Sequence, residues 1–330
     1  MKKIVFLSVL LAAPLLSSCK KNAEQNAVCA ELVIYTPHSE AKTKAVIREF
    51  RQRTNLRVQA VYGGTSELLL RLKTNENARA DVFWGGGIES LEAENALFAP
   101  YDSPQKSALE TDYGARWLPF SLMTMVIVYN GELVPQDRAP QRWQDLAKPY
   151  FKKRIFIPNP AKSGSAYSIL NAILQTGYPA ENWALLGAIK SQASDAGLAE
   201  SAPSVHKAVA SGEYFVGFTS EDAALSYREE HGESSLAIVY PADGTIIVPD
   251  GIALINGAEH RENAERFIDF ALSKTVQTYI AQTWHRRSVR TDVAPSENLK
   301  RKSEMVLLPY DIFSSAARRD FVLAEWDSLD

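Results

Sequence analysis

The feature that most constrains this chain is an alternation near the start of its folded part. LVIY (32–35), LRVQAVY (56–62) and DVFW (81–84) read as strands. EAKTKAVIREFRQRT (40–54), with Ala45, Val46 and Phe50 on one side, and SELLLRLKT (66–74) read as the helices between them. Short β-α-β units of this kind predict a parallel sheet wrapped by helices, and so an α/β fold. Ligands on such sheets lodge beyond the carboxyl ends of the strands, where loops lead into helices. The loops at those points are TPHS, GGTS and GGG. Thr36, His38, Ser39, Gly64, Thr65, Gly85 and Gly86 should therefore share one sheet edge and line a cleft, with Trp84 placed to stack on a ligand. Consecutive glycines are costly to order, which predicts a ligand close to the main chain there. Taken singly, each loop could merely turn the chain, His38 could be a surface residue and Trp84 a core residue.

LPFSLMTMVIVYN (118–130) is too long for an ordinary isolated strand and suits one that leaves one sheet and enters a second. Strand–helix patterns recur through EYFVGFTSEDAALSY, and SLAIVYPADGTIIVPDGIALIN (235–256) holds two strands able to carry the chain back. ENAERFIDFALS and KTVQTYIAQTW read as closing helices. The expected organisation is a first lobe at 31–125, a second at 126–246, and a return to the first lobe with C-terminal helices at 247–330. A chain of 330 residues has ample length for two such cores.

Lys2 and Lys3 precede IVFLSVLLAAPLL, an apolar stretch that is short for a bilayer span and reads as a secretory signal over 1–18. It runs into Leu16-Ser17-Ser18-Cys19, which resembles the bacterial lipobox. Cys19 would then carry lipid, and 19–30 would tether an extracytoplasmic body to the membrane. The alternative is an ordinary signal peptide with Cys19 incidental. Cys29 is the other cysteine, so no disulfide framework is expected. A net charge of −3 without basic runs argues against nucleic acid as a partner.

NPAKSGSAYS (159–168) places Ser163, Gly164 and Ser165 where a loop opens a helix, with Lys162 adjacent. Amides and hydroxyls there can bind a phosphate-like anion; a plain serine cap is the alternative. The nucleotide P-loop spacing is not present. In GFTSEDAAL (217–225), Thr219, Glu221 and Asp222 stand at a strand–helix junction, although Thr219 and Asp222 also fit a capping box. Glu221 is read as freer to reach a ligand hydroxyl or amine, and Asp250 in VPDG lies near the return crossing. The histidines at 38, 206, 231, 260 and 285 show no metal-binding spacing, and no G-x-S-x-G elbow occurs. An enzyme such as a secreted phosphoesterase would need a nucleophile or metal cluster that the sequence does not display, and no cofactor is expected.

Together the lipobox, the segment from IYTPHS to LLLRLK, ADVFWGGG, VIVYN, IPNPAKSGSAYS and PDGIALINGAEHRENAERFIDFALSKTVQTYIAQ resemble the solute-binding lipoproteins of bacterial ABC importers. Within these the chain is similar to the ferric-ion, phosphonate and organophosphate branch. The resemblance implies a type II periplasmic-binding fold, with two α/β lobes that close on ligand about hinge strands. It also implies a permease partner and an anion loop at Ser163, Gly164 and Ser165; a monomer is expected. Ferric members use two adjacent tyrosines in the segment that here reads GFTSEDAALSY, and no Tyr-Tyr pair occurs in this sequence. The favoured solute is a sugar phosphate, phosphoglycerate or 2-aminoethylphosphonate. Ferric iron with a synergistic anion is the alternative, and delivery to a sensor rather than a transporter stays open.

Overall fold

The computed structural model describes residues 30–74, 79–111, 114, 116–176, 179–199, 202–231 and 235–329. Its strands are β1 (Leu32–Thr36), β2 (Val58–Tyr62), β3 (Val82–Gly87), β4 (Phe98–Ala99), β5 (Leu118–Asn130), β6 (Ile155–Pro158), β7 (Ala193–Ala199), β8 (Val216–Ser220), β9 (Leu236–Val239), β10 (Ile247–Ile255) and β11 (Arg287–Ser288). Its helices are α1 (Glu40–Thr54), α2 (Thr65–Thr74), α3 (Ile88–Ala93), α4 (Gly164–Leu174), α5 (Pro179–Gln192), α6 (Ala202–Ala210), α7 (Glu221–His231), α8 (Arg261–Ala271), α9 (Lys274–Thr283), α10 (Ile312–Ala317) and α11 (Arg319–Ser328).

β1 runs parallel to both β2 and β3, which brings the three glycine- and hydroxyl-rich loops to one sheet edge. α1 follows because Thr43, Val46, Ile47 and Phe50 recur at helical spacing and are all buried. It stops at Asn55, which takes a left-handed φ of 57° and donates its N–H to the Arg51 carbonyl.

β5 joins the lobes. Leu118–Thr124 pair antiparallel with β10, while Met125–Tyr129 pair with β8 and the strand's end with β9. All of β5 is buried. In its second half Val126 and Val128 face a cluster with Val205 and Val209, and Met125 and Ile127 face one with Trp143, Phe151 and Ile169. The first lobe has its own clusters on either side of its sheet, one around Leu32, Trp84 and Phe267 and one around Val33, Phe83 and Leu68. The strand order is β2-β1-β3-β10-β5-β8-β6-β7, and the step from β9 to β10 is the second crossing.

The C-terminal expectation needs correction. Ile312 of α10 sits in a first-lobe cluster, but Val322 and Trp326 of α11 sit in the second-lobe cluster with Leu186 and Ile189 of α5. Lys190 of α5 donates to the carbonyls of Trp326 and Leu329 at 2.9 and 2.5 Å. Val322 and Trp326 lie four apart on one helix face, and that face closes the second core. β7 is an addition, a strand at the sheet edge that polar SDAG conceals from a periodicity reading. The signal segment, Cys19 and Cys29 lie outside the described residues. Among the described residues no helix is long and apolar enough to cross a membrane.

Candidate functional site

A cavity of about 750 Å³ lies between the lobes. The first lobe supplies its wall from the loop after β1 (His38, Ser39), the start of α2 (Gly64, Thr65) and the end of β3 (Gly86, Gly87). The second lobe supplies Lys162 to Ser165, His206, Lys207, Ser220 and Asp222.

The atoms that crowd the triple glycine are protein atoms. Gly85 and Gly86 take φ of 108° and 92°, and a Cβ on Gly85 would stand 2.5 Å from the His38 imidazole. A Cβ on Gly87 would stand 2.7 Å from the Gly164 carbonyl carbon, and one on Gly164 would stand 2.5 Å from the Gly87 nitrogen. The end of β3 and the start of α4 thus touch main chain to main chain across the crevice. The Ser66 hydroxyl donates to the Ala161 carbonyl at 2.8 Å, and the Ser168 hydroxyl to buried Glu89 at 2.8 Å, so the lobes are drawn together. Gly85 and Gly87 thus admit His38 and the opposite lobe, while Gly86 and Gly87 also line the cavity.

Ser163 caps α4, its Oγ accepting from the Ala166 N–H at 3.4 Å and lying 3.1 Å from the Ser165 Oγ. The first-turn N–H groups of α4 have no partner within the helix, and the positive end of its dipole faces the cavity with both hydroxyls. α2 begins at Thr65 on the facing lobe, so two helix N-termini meet the same space.

A second polar group forms around two buried carboxylates. Asp250 sits at a bulge of β10, where the register shifts against both β3 and β5. It accepts from the Ser121 N–H and hydroxyl at 2.9 and 2.5 Å and lies 3.3 Å from Arg286 Nη1 and 3.2 Å from His38 Nε2. Asp222 takes Arg286 Nε at 2.7 Å and Lys42 Nζ at 2.9 Å. Burial alone would raise Asp222, but Arg286 and Lys42 hold it well below the usual carboxylate range; Asp250 is lowered too, with Arg286 the main opponent of its burial. Burial also lowers the pKa of the His38 imidazole, against the pull of Asp250.

His38, Ser39, Gly64, Thr65, Gly86, Ser163, Gly164, Ser165, Asp222 and Asp250 are brought to this one cavity. The remaining expected residues are not. The Thr36 hydroxyl donates to the Trp84 carbonyl at 2.6 Å and accepts from the His38 N–H at 3.2 Å, which shapes the loop from behind. Trp84 is fully buried in the first-lobe core, 5.3 Å from the Phe120 ring and 5.2 Å from that of Phe267. Gly85 backs His38, and Thr219 is buried within β8. Glu221 is committed to Arg287 at 2.9 and 2.8 Å and accepts from the Tyr240 hydroxyl at 2.6 Å, so it is a structural clamp and not a free ligand group. Sequence reading missed Lys42, Ser121 and Arg286. A lysine in a helix's first turn, against the dipole, was the available signal for Lys42.

Two α/β lobes joined by crossing strands around a cavity are the type II periplasmic-binding fold. The chain belongs to the bacterial extracellular solute-binding protein family, whose profile matches residues 81–316. It is 28% identical over 257 residues, 75% of this chain and 74% of the other, to a Salmonella typhimurium protein named "Putative 2-aminoethylphosphonate-binding periplasmic protein". It shares the fold of AfuA from Actinobacillus pleuropneumoniae with fructose-6-phosphate bound, at a TM-score of 0.83 and 22% identity over 90% of this chain and 98% of that one. Iron-bound HitA from Pseudomonas aeruginosa also has the fold, at a TM-score of 0.79 and 19% identity, with 90% and 98% covered.

Proposed function

We propose that the chain captures a small phosphorylated or phosphonate solute between its lobes and passes it unchanged to the permease of an ABC importer. In this reading it works as a monomer tethered through lipid on Cys19. The observation that carries the proposal is the seat at Ser163-Gly164-Ser165, where helix N–H groups and two hydroxyls meet a cavity of about 750 Å³, roomy enough for a sugar phosphate. The names of the Salmonella relative and of the AfuA complex agree with that chemistry. Calorimetric titration with a hexose 6-phosphate tests it. Ser163→Ala and Ser165→Ala should each weaken binding about tenfold, as loss of one charge-assisted hydrogen bond implies. Only Ser163→Ala should also lower the melting temperature, because Ser163 alone caps α4. Unchanged affinity in both variants would remove the seat. Ferric iron is the second reading, favoured by the fold shared with iron-bound HitA. Ferric citrate binding more tightly than any phosphorylated compound would overturn the proposal.

A further inference from the structure

The phosphate seat accounts for one end of a solute, and a row of paired charges meets the rest. Lys42 leaves the first turn of α1 and crosses the crevice to Asp222 of α7 at 2.9 Å. Arg286 links Asp222 to Asp250 at 2.7 and 3.3 Å. Asp222 and Asp250 are thus matched by Lys42 and Arg286, two carboxylates against two cations, and the His38 ring closes the row at 3.2 Å from Asp250. Glu229 and Glu230, the other acids on the cavity wall, are solvent-exposed, and Glu229 is held by His285 at 2.8 Å.

Two buried carboxylates without cations of their own would attract an ammonium group. Here the protein already provides the ammonium. Resting on the phosphate reading above, we propose that Lys42 is a built-in counter-ion that sets specificity: it admits solutes whose organic end is uncharged and hydroxylated, a polyol phosphate, and disfavours aminoalkyl phosphonates. A solute ammonium at Asp222 would stand within a few Å of Lys42 and Arg286, a like-charge contact in a partly dry crevice. A second solute anion would face Asp222 and Asp250. A hydroxyl suits the row, because it donates to a carboxylate while accepting from a lysine or arginine.

The test compares three probes on the full mature chain by calorimetry: a hexose 6-phosphate, 2-aminoethylphosphonate and inorganic phosphate. The wild type should bind the hexose phosphate at least about tenfold more tightly than the aminophosphonate, a difference of roughly 1.4 kcal/mol. Lys42→Met should shift that ratio about tenfold or more toward the aminophosphonate, because Asp222 is then short of one cation. Lys42→Arg, which keeps the charge, should retain the wild-type order; thermal melts check that both variants fold. A wild type that prefers the aminophosphonate, or a Lys42→Met ratio equal to the wild type's, overturns the role of Lys42 while phosphate binding still upholds the seat. If none of the three probes binds, the seat itself falls, and this inference with it.

Discussion

Replacing Gly164 with alanine should hold the lobes apart without unfolding either. The new Cβ would stand 2.5 Å from the Gly87 nitrogen and 2.8 Å from its Cα. That is about 1 Å inside ordinary contact. The obstacle is the main chain of β3, which cannot rotate away as a side chain could. Overpacking of this kind costs about 1–3 kcal/mol, and here the cost falls on the closed form alone. The apparent Kd for a phosphorylated solute should therefore rise roughly 5- to 150-fold. The melting temperature of the solute-free protein should not fall, since alanine in a helix is favoured over glycine by up to about 1 kcal/mol. Gly187→Ala is the control, because its Cβ would meet only the Leu329 side chain at 3.6 Å, and it should leave Kd unchanged. Titration calorimetry gives Kd, and small-angle scattering gives the compaction on adding solute. A Gly164→Ala protein that binds and compacts like the wild type would refute the reasoning.

Burial of His206 lowers its pKa from 6.5 to about 4. Between those values the unfolded chain takes up a proton that the native chain refuses, so stability falls with pH by about 3 kcal/mol in all. His206→Phe should flatten that limb of the melting profile, and an unaltered limb would count against it. Cys19→Ser should move the expressed protein from the detergent phase to the aqueous phase in a cloud-point partition, whereas equal partitioning of both forms would sink the lipid anchor.

What could be read from the sequence was what repeats locally. Helix α1 spans the residues that its apolar spacing predicted, and β5 spans the long run from Leu118 to Asn130. The proposed seat at Ser163-Gly164-Ser165 is legible in the sequence because a helix start, a glycine and two hydroxyls are adjacent in the chain. The carboxylate row was only half visible. Asp222 stands at a strand–helix junction and Asp250 near the return crossing, both legible in the sequence, but Arg286 approaches from a loop 64 and 36 residues away, and nothing local marks its destination. Glu221 and Trp84 were misplaced for the same reason. A glutamate at a loop looks free until Arg287, 66 residues on, is folded against it. A tryptophan at a strand's end looks available until Phe120 and Phe267 enclose it.

Strand β10 lies between β3 and β5, so the first lobe's sheet has a gap at its centre until Ile247–Ile255 have been made. The second lobe waits longer, since Val322 and Trp326 of α11 belong to its core. Each core therefore needs segments made long after its first strands. Contacts of such long sequence separation form slowly, and until they do the nascent chain is a thread of exposed apolar strands that is prone to aggregate. Late completion of both cores suits a chain that is exported before it folds, as the proposed function requires.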